Sequence, residues 1–239
     1  MRLASDGLID LPGYEHGGSA DLPAASLIDV AFELQASDRQ LPADHQPALV
    51  ATLDATCPGW SAHPGAGAHP LALASGGLLS RRTRLLLRVP RDTALTLVAP
   101  DGLLHRALQP VGMPALRLEA PQLRELLPWS ALHAHFVVMD DEAATEPGDA
   151  AAAELAFMLA AARALQALAV RGRVICGRRQ QRHGPRLGSL LQGHSLMVDQ
   201  LGPADALRLL EHGLGRHRRL GWGLFVPHRS AAAVGSPHG

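Results

Sequence analysis

The chemistry open to this chain rests on two residue types, arginine and histidine. All 22 basic residues are arginine, none is lysine, and histidines number 13. Schiff-base chemistry and the lysine of a Walker-type phosphate loop are thereby excluded. Arginine is a permanently charged fork suited to phosphate oxygens, and histidine takes or gives protons near neutral pH. The densest combination of the two is "GLGRHRRLGWGLFVP", residues 213–227. There Gly213-Leu214-Gly215 and Gly221-Trp222-Gly223 bracket five residues, among them Arg216, His217, Arg218 and Arg219. Glycines let successive N–H groups turn toward an anion and permit close backbone approach. The spacing is not that of a dinucleotide fingerprint and no helix follows it. A phosphate-binding loop is one reading, and a decorative hairpin loop is the other.

A second basic cluster is "RGRVICGRRQQRHGPR", residues 171–186, which holds six arginines including Arg178, Arg179 and Arg182. A third, "LLSRRTRL" at 78–85, contributes Arg81 and Arg82. Each alone reads as a solvated face. Three together favour RNA, whose A-form major groove is closed to side chains, so phosphate and shape contacts should dominate. Aromatic residues make up only 3% of the chain, which argues against base-stacking recognition of long single strands of the RRM kind. His133 and His135 share one face of a strand, as zinc ligands can. The sequence offers them no third ligand, so a structural role is expected and no metal is implied. His217 lies among arginines whose charge should keep it neutral.

Charge is divided along the chain. Residues 1–159 hold 10 arginines against 19 acids, and residues 160–239 hold 12 against 3. The net zero hides −9 followed by +9, a footprint that fits a polyanion on the C-terminal part. Cys57 and Cys176 are far apart with no zinc spacing, as a reducing cytoplasm allows. The first residues carry early acids and no apolar core, unlike a signal peptide. The apolar stretch 150–170 is interrupted by Glu154, Arg163 and Gln166, which speaks against a membrane span.

The elements that must position these residues follow from periodicity. "SLIDVAFEL" (26–34) alternates, with Ile28, Val30, Phe32 and Leu34 on one face, and predicts a strand. A helix follows with Asp44 as N-cap, Pro47 in its first turn, a stripe of Leu49, Val50 and Leu53, and a stop at Cys57-Pro58-Gly59. Strands are expected at 69–74 and 82–89, a short helix at 91–100, and strand pieces at 103–108 and 113–118. The order then recurs: a strand at 131–139, a long helix capped by Asp149, and a hairpin of 172–180 with 187–199. A helix between Pro203 and Gly213 and a final strand "GWGLFVP" complete it. Strand-helix-strand twice over is the split βαβ pattern. The expected class is therefore α+β with tandem ferredoxin-like domains, 26–128 and 129–228, between poorly ordered tails.

These residues resemble a known family. The loop Gly-h-Gly-x5-Gly-h-Gly (h hydrophobic) with basic residues inside is similar to the hallmark of the RAMP superfamily of CRISPR-associated RNA-binding proteins. "IDVAFELQASDRQLPADHQPALVATL" at 28–53 and "LLQGHSLMVDQLGPADALRLLEHGLGRHRRLGWGLFVP" at 190–227 sharpen the match. Together they resemble the CRISPR-associated pre-crRNA endoribonuclease of the MYXAN subtype, in Cas family six. The resemblance implies metal-independent cleavage of CRISPR repeat RNA without a cofactor. In it a 2′-hydroxyl attacks the adjacent 3′ phosphate, leaving a 2′,3′-cyclic phosphate and a 5′-hydroxyl. It implies as partners the repeat RNA, as precursor and as mature guide, and other subunits of a type I CRISPR effector complex. The catalytic histidine of the family lies at the first helix, and His45 is the residue at the matching position. A helix start favours neutral imidazole, which suits a general base. Family members often use a second catalytic residue, and Tyr14, in the N-terminal tail, is badly placed for that part. The competing reading is a non-catalytic RNA-binding subunit of an effector complex.

Overall fold

The computed structural model describes residues 24–36, 38, 40–103, 106–139, 150–185 and 189–228. The first run of elements is β1 (Leu27–Ala36), α1 (His45–Thr56), β2 (Gly67–Ala68), β3 (Arg84–Pro90), α2 (Arg91–Val98), β4 (Ala107–Leu108) and β5 (Leu116–Glu125). The second is β6 (Leu132–Val137), α3 (Ala150–Ala167), β7 (Arg173–His183), β8 (Leu190–Asp199), α4 (Pro203–His212) and β9 (Val226–Pro227). Among the described residues they form two antiparallel sheets, ordered β2-β3-β1-β5-β4 and β7-β8-β6-β9. In each, the strand that opens the run is central, with the later strands divided to its two sides. No described helix is long and apolar enough to cross a membrane.

The helices that matter for position form as their sequences suggest. α1 buries Leu49, Val50 and Leu53 against the first sheet, and the Cys57 N–H closes its end on Leu53 O. Asp44 occupies the N-cap position, but its side chain makes no capping hydrogen bond. α4 starts at Pro203 and stops at Gly213, whose φ of 61° turns the chain into the glycine loop.

Several expectations need correction. The alternation in β1 predicts one buried face, yet Leu27 to Phe32 are buried on both, because the second half of the chain covers the other side. Leu27 belongs to the core of the second sheet, while Phe136, Val138, Leu191, Leu220 and Trp222 join the core of the first. Residues 69–74 are no strand. After the His69 N–H bonds Leu86 O at 2.8 Å, Pro70 has no donor with which to continue a ladder. "GWGLFVP" yields only the two residues of β9, since Gly221 and Gly223 turn at positive φ. β5 and β7 are longer than their sequence signals suggest. Asp149, Tyr14 and most of both expected tails lie outside the described residues.

One buried ion pair fastens the two halves of the chain. Arg88, at the centre of β3 and 1% exposed, gives Nε and Nη2 to both oxygens of Asp29 on β1 at 2.8 and 3.0 Å. Its Nη1 reaches across to Leu210 O at 2.9 Å and Phe225 O at 3.0 Å. Burial pushes the Asp29 carboxyl up, but the guanidinium overrides it and holds the group well below the usual range. His69 Nε2 stands 3.8 Å from Asp29 Oδ1, beyond hydrogen-bond reach.

Candidate active site

His45 is the first residue of α1 and is 8% exposed. Its Nδ1 lies 2.9 Å from the Pro42 carbonyl. A carbonyl only accepts, so Nδ1 carries the proton and Nε2 presents a bare lone pair. That Nε2 is buried and has no hydrogen-bond partner. Burial lowers the imidazole pKa, and the charge of Arg182 lowers it further, against the Pro42 carbonyl and Asp44. The ring is therefore neutral near pH 7, with its basic nitrogen unspent. The segment before it is pinned by Leu41 N–H to Gly77 O at 2.9 Å and by a β-bridge between Gln40 and Leu78.

The next residue ties α1 to the glycine loop. Gln46 Nε2 donates to Ala68 O at 2.8 Å and to Leu220 O at 3.1 Å, while its Oε1 is buried without a partner. The loop is thereby placed beside the N-terminus of α1.

Inside the loop the glycines serve close approach between strands of this protein. A Cβ on Gly223 would stand 1.8 Å from the Leu214 carbonyl, and one on Gly221 would stand 2.2 Å from the Ala68 carbonyl. Gly213 and Gly215 also turn at positive φ. Arg218 is turned inward: its Nε donates to Pro64 O at 2.9 Å and its Nη1 to Gly215 O. Burial lowers its pKa. Arg219 lies 3.4 Å from Asp54 on α1. The Arg216 N–H bonds Val138 O at 2.7 Å. His217 adopts the left-handed conformation, with its ring edge-on to Trp222 at 5.7 Å.

The β7–β8 hairpin approaches the same place. The Arg182 guanidinium lies 6.0 Å over the Phe136 ring, which meets Trp222 edge-on at 5.2 Å. A row of rings thus runs from the hairpin to His217, and the Arg182 charge acts on His45. The structure brings together His45, Arg182 and the glycine loop. Arg179 leans on Gln192 across the ladder, and among the described residues Arg178 makes no side-chain hydrogen bond or ion pair. Arg81 and Arg82 are exposed in the turn before β3. Their side chains have no hydrogen bond or ion pair among the described residues, and no such contact joins them to His45. His133 and His135 meet edge-on at 4.7 Å. Among the described residues no three His, Cys, Asp or Glu side chains are placed to hold a metal ion.

The family model described as "Cas6 Crispr" matches residues 28–230. The chain belongs to the Cas6 family. It is similar to the CRISPR-associated endonuclease Cas6 of Myxococcus xanthus (strain DK1622), 32% identical over 215 residues, 89% of this chain and 86% of that protein. Among solved structures it is similar to a CRISPR associated protein Cas6, with TM-score 0.56 and 11% identity, over 85% of this chain and all of that one. At that identity the likeness shows a shared fold. A weaker likeness, TM-score 0.49 at 17% identity over 84% of this chain and 98% of the other, is to Thermus thermophilus Cse3 bound to an RNA representing a pre-cleavage complex.

Sequence reasoning missed Gln46 and the Arg88–Asp29 pair, which hold this Cas6-family site together. A signal existed for the pair. Asp29 interrupts "LIDVAF" and Arg88 interrupts "LLLRVP", and opposite charges inside two apolar strands are tolerated only when paired. Gln46 carried no such signal, because its partners are backbone carbonyls far away in the sequence.

Proposed function

We propose that the chain is a CRISPR repeat-RNA endoribonuclease that releases guide RNA by internal transesterification. The observation that carries this reading is His45: a neutral imidazole, fixed by the Pro42 carbonyl, whose second nitrogen is left unpartnered beside an arginine. A buried acceptor without a donor costs about 1–3 kcal/mol, and a ribose 2′-hydroxyl is a donor of the right kind. Nε2 is shielded before RNA arrives, so binding must open its cover. The 2′-oxygen then bonds to the adjacent phosphorus as its proton passes to His45. The bond from phosphorus to the 5′-oxygen breaks, and that oxygen takes a proton from solvent to leave as a 5′-hydroxyl. A 2′,3′-cyclic phosphate remains. Arg182 steadies the charge that develops on the phosphate.

The supporting frame is two ferredoxin-like domains, 26–128 and 129–228, the connectivity that the strand orders fit. RNA contacts are assigned to Arg178, Arg179 and Arg182 on the hairpin and to Arg81 and Arg82 on the first domain. Arg216, His217 and Arg219 serve as the loop's contribution, and Gly213, Gly215 and Gly221 shape the loop from within rather than touch RNA. Arg218 supports that loop from inside. No step calls for a metal ion, because the nucleophile is internal and needs only positioning and proton transfer.

Single-turnover cleavage of repeat RNA tests the reading. His45→Ala should slow cleavage by ~10²–10⁴ and leave RNA affinity within a few-fold. A 2′-deoxy substitution at the scissile nucleotide should abolish the reaction, and chelator should not. Because a base must be neutral, the wild-type rate should hold above the lowered His45 pKa and fall as pH drops through it, below 6.5. Normal cleavage by His45→Ala would remove His45 from the chemistry. Binding without cleavage by the wild type would favour the non-catalytic subunit.

A further inference from the structure

Ladder pairing places Ile175, Met197, His133 and Val226 side by side across β7, β8, β6 and β9. All four are half-buried. Alternate residues of a strand point to opposite faces, and their neighbours Leu132, Ala134, Leu196 and Val198 fill the core under the helices. Ile175, Met197 and Val226 join neither core, so this row forms the open face of the second sheet. His135, two residues beyond His133, is exposed there. The ring of His228, just past β9 and also exposed, lies 5.2 Å from that of His133. Three imidazoles and three apolar side chains therefore share one face.

The charges that lower His133 and His135 are positive. Burial comes first in lowering His133, to about 4, followed by His135 and His228. His135 is lowered by burial, then by His228 and Arg182, and the buried His69, just past β2, couples to it electrostatically. Around neutral pH His133 and His135 are uncharged aromatic rings. Arg182, over the ring of Phe136 next to His135, bears on both His135 and His45, which sets the face beside the candidate cleavage site.

We propose that this face is a stacking platform for unpaired nucleotides of the repeat RNA, with His133, His135 and His228 as its rings. The proposal rests on the repeat-RNA reading. In four-stranded sheets of this connectivity, side chains on the central strands stack about two or three bases, and histidine is among the side chains that do so. β6 and β8 are the central strands here. The larger aromatics are committed elsewhere: every tryptophan and phenylalanine of the chain except Trp129 is buried. Imidazole takes their place, over a floor of Ile175, Met197 and Val226. The hairpin arginines hold the stem by its phosphates, and the platform holds the strand that leaves it.

The test compares two RNAs: a repeat stem-loop with its unpaired flank, and the same stem-loop trimmed of it. Three proteins are titrated by fluorescence anisotropy near neutral pH: wild type, the double variant His133→Ala/His135→Ala, and the double variant His133→Phe/His135→Phe. The alanine variant should bind the flanked RNA on the order of 10-fold more weakly per base unstacked. Its affinity for the trimmed RNA and its salt slope should stay at wild-type values, since every arginine that faces a phosphate is kept. The phenylalanine variant should restore binding, and 2-aminopurine in the flank should be quenched by it and by wild type alone. Unweakened binding of the flanked RNA by the alanine variant overturns the platform. So does a loss shared by the trimmed RNA, or a failure of phenylalanine to restore, which would assign the imidazole nitrogens the work. If the wild type neither binds nor cleaves repeat RNA, the enzyme reading falls and the platform falls with it. If it does both while the alanine variant binds normally, the platform alone falls.

Discussion

In the glycine loop, Arg218 turns inward to two backbone carbonyls and Arg219 leans on Asp54. In the β7–β8 hairpin, Arg178 makes no side-chain hydrogen bond or ion pair among the described residues, and Arg182 rests on an aromatic ring with its charge directed at His45. Both regions are rich in arginine, and composition treats them alike. The difference is in where the donors go. A guanidinium that satisfies buried carbonyls shapes the protein, and one left in solvent is open to a polyanion. The conspicuous loop thus acts first as a joint between the two halves, and the plainer hairpin offers the freer charge.

The largest effect that could break this contrast belongs to the joint. Arg88→Met removes the cation from a fully buried pair and leaves the Asp29 carboxylate uncompensated, together with the Leu210 and Phe225 carbonyls. Losing one partner of a buried pair costs about 3–5 kcal/mol, so the urea midpoint should fall sharply. An unchanged midpoint would mean that the two halves do not depend on this clasp.

Arg218→Ala comes next. It orphans the acceptors Pro64 O and Gly215 O, for a cost of about 1–3 kcal/mol, and should leave the salt dependence of RNA binding as it was. The reverse pattern, intact stability with a shallower salt slope, would make Arg218 a phosphate ligand and erase the contrast.

That contrast shows what a linear reading can and cannot deliver. α1 and α4 were legible because their stripes, prolines and stop signals are local: Leu49, Val50 and Leu53, then Pro203 and Gly213. His45 stood out as a candidate only through resemblance to a family, since nothing in the sequence announces that its ring would bond the Pro42 carbonyl. The fate of Arg218 was not legible at all. Its acceptor Pro64 lies 154 residues away, and a run of arginine reads the same whether it faces carbonyls or water. The double burial of β1 escaped for the same reason, because what covers Leu27 and Asp29 comes from the other half of the chain.

On the hairpin side, Arg178→Ala combined with Arg179→Ala should leave stability within about 0.5 kcal/mol, as for most surface changes. RNA affinity should drop, and the slope of log K against log salt should become shallower by about 0.7–0.9 for each phosphate no longer neutralised. A destabilised protein with an unchanged slope would move the hairpin into the same class as the loop.

The smallest effect decides which region Arg219 belongs to. Its guanidinium is half-exposed and 3.4 Å from Asp54 Oδ2, a separation at which a surface pair is worth about 0–1 kcal/mol. Asp54 also accepts the Trp60 indole N–H at 2.9 Å through Oδ1. Asp54→Asn keeps that acceptor and deletes the charge, so it tests the ion pair without emptying the site around Trp60. Stability should change by less than about 1 kcal/mol. RNA affinity should rise modestly and its salt slope should steepen, because a guanidinium released from a carboxylate is free to displace counterions from a phosphate. Equal affinity and slope in wild type and variant would instead fix Arg219 beside Arg218, as part of the joint, and leave the hairpin as the stronger source of phosphate contacts.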